Sequence, residues 1–170
     1  MSLKEYLFLD GYNVINAWPS LKKIAEFDLD AAREELASMM AEYSSYTGKN
    51  TVIVFDAHLV KGNNGSKEVL RGVKIVYTKE KETADSYIEK TIIDIAKTNR
   101  VVVATNDWAE QQMVLGGGAT RISVRELMID FENTKNKISI RTRNSKVEKD
   151  ILSTRIDPLL LRKLEKLRRS

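Results

Sequence analysis

Val101-Val102-Val103-Ala104-Thr105 is an uninterrupted, mostly β-branched apolar run, as expected of a strand buried on both faces at the centre of a parallel sheet. Working outward from it, the preceding stretch from Ala84 to Ala96 places Ala84, Ile88, Ile92 and Ile95 on one helical face, with Thr83 as its N-cap. Two further strand-like runs lie upstream, Thr51-Val52-Ile53-Val54-Phe55 and Val73-Lys74-Ile75-Val76-Tyr77. A helix is expected from about Leu29 to Tyr46, where Leu29, Ala32, Leu36, Met39, Met40 and Tyr43 recur near helical spacing. Gly48 and Asn50 punctuate its end, and Tyr6-Leu7-Phe8-Leu9 makes a first short strand. Downstream, a helix from Trp108 to about Leu115 is stopped by Gly116-Gly117-Gly118, and Ala119 to Ile122 forms a fifth strand. Ser123-Val124-Arg125-Glu126 is a capping box opening another helix. Ile138 and Ile140 alternate with polar residues in the manner of an edge strand. Asp157-Pro158 reads as N-cap and first residue of a terminal helix, Leu159 to about Arg168. Strands alternating with helices imply right-handed crossovers and a parallel sheet covered on both faces. Leu59 to Glu68 is polar and Gly-rich, either a surface insertion or a flap over substrate.

Composition narrows the chemistry. The 170 residues, 42% hydrophobic and 31% charged, suit a globular domain with a tail. No apolar run is long enough to span a bilayer, and the N-terminus passes into a strand without signal-peptide anatomy, so a cytoplasmic setting with no membrane partner is expected. Cysteine is absent and His58 is the single histidine, which excludes thiolate sites and zinc sites built on several imidazoles. A metal would be held by oxygen ligands, which points to magnesium or manganese. Charge is unevenly spread. Residues 135–170 hold 12 Lys/Arg against 4 Asp/Glu, while residues 1–134 hold 16 against 20. The expected organisation is therefore a body, 1–134, and a basic C-terminal extension, 135–170, which is either suited to a polyanion or simply a solvated, Lys-rich terminal helix.

Strand ends are where the carboxylates fall. Asp10 follows the first strand, Asp56 the second and Asp107 the fourth, while Asp85 sits in the first turn of the helix after the third. Ligands of open parallel sheets bind beyond the carboxyl ends of the strands, where strand order reverses. Asp10, Asp85 and Asp107 meeting there would repel unless they surround a cation. Glu89 lies one turn beyond Asp85 on the same side. Taken singly, each has a structural explanation: the helix dipole favours Asp85, an Asp-x-x-Glu cap accounts for Asp107 with Glu110, and Asp10-Gly11 fits a turn. Asp56 fits a plain loop-capping or loop-solvating role, His58 is a candidate substrate contact, and Trp108 fits packing better than base stacking.

Asp10-Gly11-Tyr12-Asn13, Val54-Phe55-Asp56-Ala57, Thr83-Ala84-Asp85 and Thr105-Asn106-Asp107, with Gln111 and Gly116-Gly117-Gly118-Ala119 downstream, follow one another over roughly residues 5 to 130. This ordered set resembles the NYN branch of PIN-like nucleases, and within it the YacP-like group of small bacterial proteins. The resemblance implies a three-layer α/β/α fold with a mainly parallel five-stranded sheet in the order 3-2-1-4-5. It implies a catalytic metal site served by Asp10, Asp85 and Asp107, with Asp56 and Glu89 as further candidate ligands. Asn13, Thr83 and Asn106 are then the residues that orient those ligands. The additional acid that PIN domains carry after the first strand falls to Glu34 or Glu35, neither of which matches closely, or to Asp56. The implied activity is endonucleolytic hydrolysis of messenger RNA, in some cases on the ribosome, with one or two Mg2+ or Mn2+ ions and water attacking phosphorus in line. Lys61, Lys67, Arg71 and Lys74 are expected to grip the RNA backbone, and Arg141, Arg143 and Lys146 in the extension to add attachment to RNA or a ribonucleoprotein. The alternative is a catalytically inactive RNA- or ribosome-binding module on the same fold. A haloacid-dehalogenase-like phosphatase would need Asp at position 12, which is Tyr12, and a receiver would need lysine where this chain has Arg121.

Overall fold

The structure, a computed structural model, describes residues 3–57, 65–106, 116, 118–153 and 166–168. The chain divides into two units, Met1–Glu132 and Asn133–Ser170. In the first unit six strands make one sheet: β1 (Glu5–Asp10), β2 (Asn50–Phe55), β3 (Lys67–Leu70), β4 (Val73–Tyr77), β5 (Arg100–Ala104) and β6 (Thr120–Ile122). Their order across the sheet is β3-β4-β2-β1-β5-β6. All neighbours run parallel except β3, which pairs antiparallel with β4. The helices described are α1 (Gly11–Ala17), α2 (Pro19–Phe27), α3 (Leu29–Thr47), α4 (Ala84–Ile95) and α5 (Val124–Ser153).

The five-stranded expectation is thereby corrected in count, and the full order differs by one added edge strand, while the five expected strands keep the order 3-2-1-4-5 among themselves. Lys67–Leu70 is an additional strand at the sheet edge, inside a stretch whose polar sequence reads as loop. All four of its residues are exposed, so no buried face imposed a hydrophobic alternation on them. Arg71 and Gly72 turn it back into β4, both at positive φ (49° and 87°), the backbone a two-residue hairpin turn requires. A second correction concerns Ile138 and Ile140, which lie in α5 and not in a strand. Two alternating apolar residues are a weak period-2 signal, and the 30-residue helix contains neither glycine nor proline to break it. In the second unit residues 133–153 belong to α5, and 166–168 are helical; the rest of the expected terminal helix lies outside the described residues, as does the helix expected from Trp108.

Strand β1 shows why both faces of the sheet must be covered. Leu7 and Leu9 point into a core shared with α1, α2, α3 and the start of α5, whereas Phe8 points into the core beneath α4. All three are at most 1% exposed, and burial of each such side chain contributes roughly 1.5–3 kcal/mol. The layers are therefore helix, sheet, helix. Helices α1 and α2 add to the expected elements, and α1 escapes a periodicity reading because it has only seven residues and no charged face. Their punctuation is legible in retrospect: Pro19 opens α2, and the Asp28 carboxylate accepts from the amides of Asp30 (3.0 Å) and Ala31 (3.3 Å) to start α3. Between α1 and α2, buried Trp18 donates its indole N–H to the Val124 carbonyl at 2.9 Å, fastening this turn to the first residue of α5. Among the described residues no helix is long and apolar enough to cross a membrane.

Candidate active site

The parallel strands β1, β2, β4 and β5 all finish at one edge of the sheet, and β1 lies between β2 and β5. At that edge Asp10 is both the last residue of β1 and the N-cap of α1, its carboxylate accepting from the Asn13 amide at 3.4 Å. A strand that turns directly into a helix leaves no room for a side chain on the next residue. A Cβ on Gly11 would sit 2.3 Å from Cε1 of Phe55, the closing residue of β2. That ring can retreat only by disturbing its neighbours. It is fully buried, 5.1 Å from the Tyr12 ring and 5.7 Å from the Tyr77 ring between centroids. Tyr12 accepts a hydrogen bond from the Arg33 guanidinium at 3.0 Å, and burial pushes its phenol above the ordinary tyrosine range.

Asn13 and Asn106 join the two central strand ends. The Asn106 amide donates to Asn13 Oδ1 at 3.4 Å, and Asn106 Oδ1 in turn accepts from the Val124 amide at 3.1 Å. Ser123 Oγ accepts from the Glu126 amide at 3.0 Å, as the capping box predicts, so two otherwise unpartnered amides at the α5 start are satisfied. Thr105, fully buried just before Asn106, is held by Arg121, whose guanidinium donates twice to the Thr105 carbonyl at 3.1 and 3.0 Å. Sequence reasoning assigned Arg121 no part in the site; a lone arginine in a three-residue strand carries no signal of its own.

Helix α4 returns the chain from the end of β4 to the start of β5, so its N-terminus faces the same edge. Thr83 caps it, accepting from the Ser86 amide at 3.1 Å, and half-buried Asp85 lies in its first turn. Glu89 is exposed one turn on. Asp56, also half-buried, leaves β2 at this edge, flanked by two bonds to Thr78: Thr78 N–H to the Phe55 carbonyl and Ala57 N–H to Thr78 Oγ1, at 3.0 and 2.9 Å. Asp10, Asp56, Asp85, Asn13, Thr83 and Asn106 thus share one edge, while Asp107, His58 and Lys61 lie outside the described residues. Among the described residues no three carboxylate or imidazole side chains converge as a group able to hold a metal ion.

The expected basic residues separate. Lys67, paired with Val76, stands near the aspartate edge; Arg71 forms the hairpin turn at the opposite edge, with Lys74 in the β4 strand between. Glu34 and Glu35 are exposed on α3, and Glu34 lines a cavity of about 550 Å³ between α3 and the β3–β4 hairpin. Arg141, Arg143 and Lys146 are exposed residues of α5 in the second unit.

Comparison with known proteins gives concordant matches. The model of the YacP-like NYN domain matches residues 7–169. The protein YacP of Bacillus subtilis (strain 168) is 42% identical over 168 residues, covering 97% of each chain. A crystal structure of Rae1 (YacP) from Bacillus subtilis superposes with a TM-score of 0.75 at 40% identity, covering 100% of this chain and 96% of the other. Its W164L mutant gives a TM-score of 0.75 at 35% identity, with 97% and 99% covered.

Proposed function

The chain belongs to the YacP-like NYN domain family, a nuclease-like family, and from that membership we propose that it is an endoribonuclease that hydrolyses phosphodiester bonds in messenger RNA with the aid of Mg2+ or Mn2+. The observation that carries the reading is the junction of β1 and α1, where Asp10 is fixed at the central edge of the sheet and tied through Asn13 to Asn106, the residue preceding Asp107.

The donors fit the ion. Asp10, Asp56 and Asp85 offer only carboxylate oxygens, which magnesium and manganese prefer, and no softer ligand accompanies them among the described residues of this edge. When bound, the metal would activate water and offset charge on the departing oxygen. The chain's own part is to fix the acids. Asp10 is held by the amide of Asn13 and Asp85 by a helix whose first turn Thr83 caps, while Arg121 and Val124 anchor Thr105 and Asn106, the two residues that precede Asp107 in the sequence. In the wider reading the ribosome is a partner, contacted through the basic segment 135–170.

The test is cleavage of a labelled RNA with manganese, comparing wild type with Asp10→Asn and Asp85→Asn. Both variants are expected to lose at least about a hundredfold in rate, since even residues that merely support metal ligands are worth 10–100-fold. Their melting temperatures should be unchanged or higher, because repulsion between neighbouring carboxylates is relieved. Full activity in Asp85→Asn would remove the assignment, and binding without cleavage by wild type would select the inactive RNA-binding alternative.

A further inference from the structure

On the α4 face of the sheet the β3–β4 hairpin forms one wall of a groove. Residues opposite one another in an antiparallel ladder share a face, and the register sets Lys67 opposite Val76 and Val69 opposite Lys74. Val76 belongs to the core beneath α4, so Lys67 and Lys74 stand on that face too. The other wall is α4, where Tyr87, Lys90, Thr91 and Asp94 follow one another at helical spacing along one stripe. Together they enclose about 430 Å³, with Lys79 at the end nearest the aspartate edge.

The charges in this groove do not cancel. Lys90 pairs with Glu82 at 2.7 Å, and its hydrogen bond holds the Glu82 carboxyl below the usual range, hence ionised. Asp94 is 3.7 Å from Lys97. Among the described residues Lys67, Lys74 and Lys79 form no ion pair. Nor are all these lysines simply dispersed into water: the ammonium groups of Lys67 and Lys90 lie 5.9 and 5.7 Å from the centroid of the same Tyr87 ring, a cation–π arrangement. Tyr87 is only 8% exposed, so its ring seats lysines and offers no platform for a base. What the groove presents is a row of point charges on flexible stems, which grips phosphates without reading sequence.

We propose that the groove between the β3–β4 hairpin and α4 holds the phosphodiester backbone of a single RNA strand, leading it to or from the edge that carries Asp85. The proposal rests on the RNA reading above and adds the path of the strand, with Lys79 as a contact beside Lys67 and Lys74.

The full chain is titrated with a fluorescent oligouridylate in chelator, so that binding is read without chemistry, over a range of salt concentrations. Lys67→Gln with Lys74→Gln should weaken binding roughly tenfold at low salt and flatten the log–log salt slope by about 0.7 for each phosphate no longer neutralised. Thr91→Glu, on a residue that lines the groove from α4, places a negative charge there without removing a lysine and should act in the same direction. Lys22→Gln with Lys23→Gln, the same charge change on exposed residues of α2 across the sheet, should leave the slope as in wild type. Unchanged slopes in both groove variants would overturn the proposal, as would complete displacement of the oligonucleotide by millimolar inorganic phosphate, which would mark a single-anion pocket. A parallel cleavage assay with manganese separates the two readings. Groove-dependent binding by a wild type that never cleaves keeps the groove and removes the nuclease; cleavage with unchanged KM and slope in the groove variants removes the groove alone.

Discussion

Gly11 is the residue on which the geometry of the aspartate edge turns. It lies in the first turn of α1 with the Phe55 ring where its Cβ would be, 2.3 Å away. Gly11→Ala must move either the ring, which is packed between Tyr12 and Tyr77, or the backbone that carries Asp10. Overpacking of this kind costs about 1–3 kcal/mol, so denaturant unfolding should show a loss in that range. The cleavage proposed above should fall further than stability explains, because Asp10 is displaced with its neighbour. An unchanged denaturation midpoint would mean that the aromatic stack yields freely. At this scale the sequence was informative about identity and silent about contact. Asp10, Asp85 and the asparagines were legible as strand-end and helix-start residues, and the structure places them at one edge. The Arg121 clasp on Thr105 and the lysines around Tyr87 were not legible, since both depend on which strands become neighbours.

Elements are joined at the site by their caps. The Val124 amide at the start of α5 depends on Asn106 Oδ1, a residue 18 positions earlier. Asn106→Ala removes that acceptor and is expected to cost about 0.5–2 kcal/mol, the usual worth of a helix cap. Asn106→Asp retains an oxygen there and adds a negative charge at a helix N-terminus, so its stability should stay close to wild type. Chemical denaturation of the three proteins checks this, and equal losses in both variants would show that the bond to Val124 contributes nothing. Long elements with strong patterns were the ones visible in the chain. The apolar β2, β4 and β5 and the periodic α3 and α4 needed no tertiary information. β3 was missed because an edge strand exposed along its whole length needs no apolar pattern, and α1 because seven residues give barely two turns to measure.

In the whole molecule, the contrast between the body and the basic extension is tested best by charge and not by truncation. α5 runs without interruption from Val124, whose side chain is buried in the core, to Ser153, so cutting near Asn133 would sever one helix. Reversing Arg141, Arg143 and Lys146 to glutamate leaves that helix in place. These three are exposed, and binding to long RNA or ribosomes should weaken while its salt dependence flattens by roughly 0.7 for each phosphate no longer neutralised. Turnover of a short RNA at saturation should be unaffected; salt slopes equal to wild type would assign the extension another role. The order of strands across the sheet has one more consequence, in time. β1 is made first, yet one of its two neighbours is β5, and Glu5 and Arg100 form an ion pair across 95 residues of chain. At synthesis rates of about 5–20 residues per second, the two strands emerge roughly 5–20 seconds apart. Throughout that interval Asn13 lacks Asn106, and the edge bearing Asp10 has only its β2 side. A nascent chain therefore carries its first aspartate long before it can assemble the setting for it, and the edge is completed only late in synthesis.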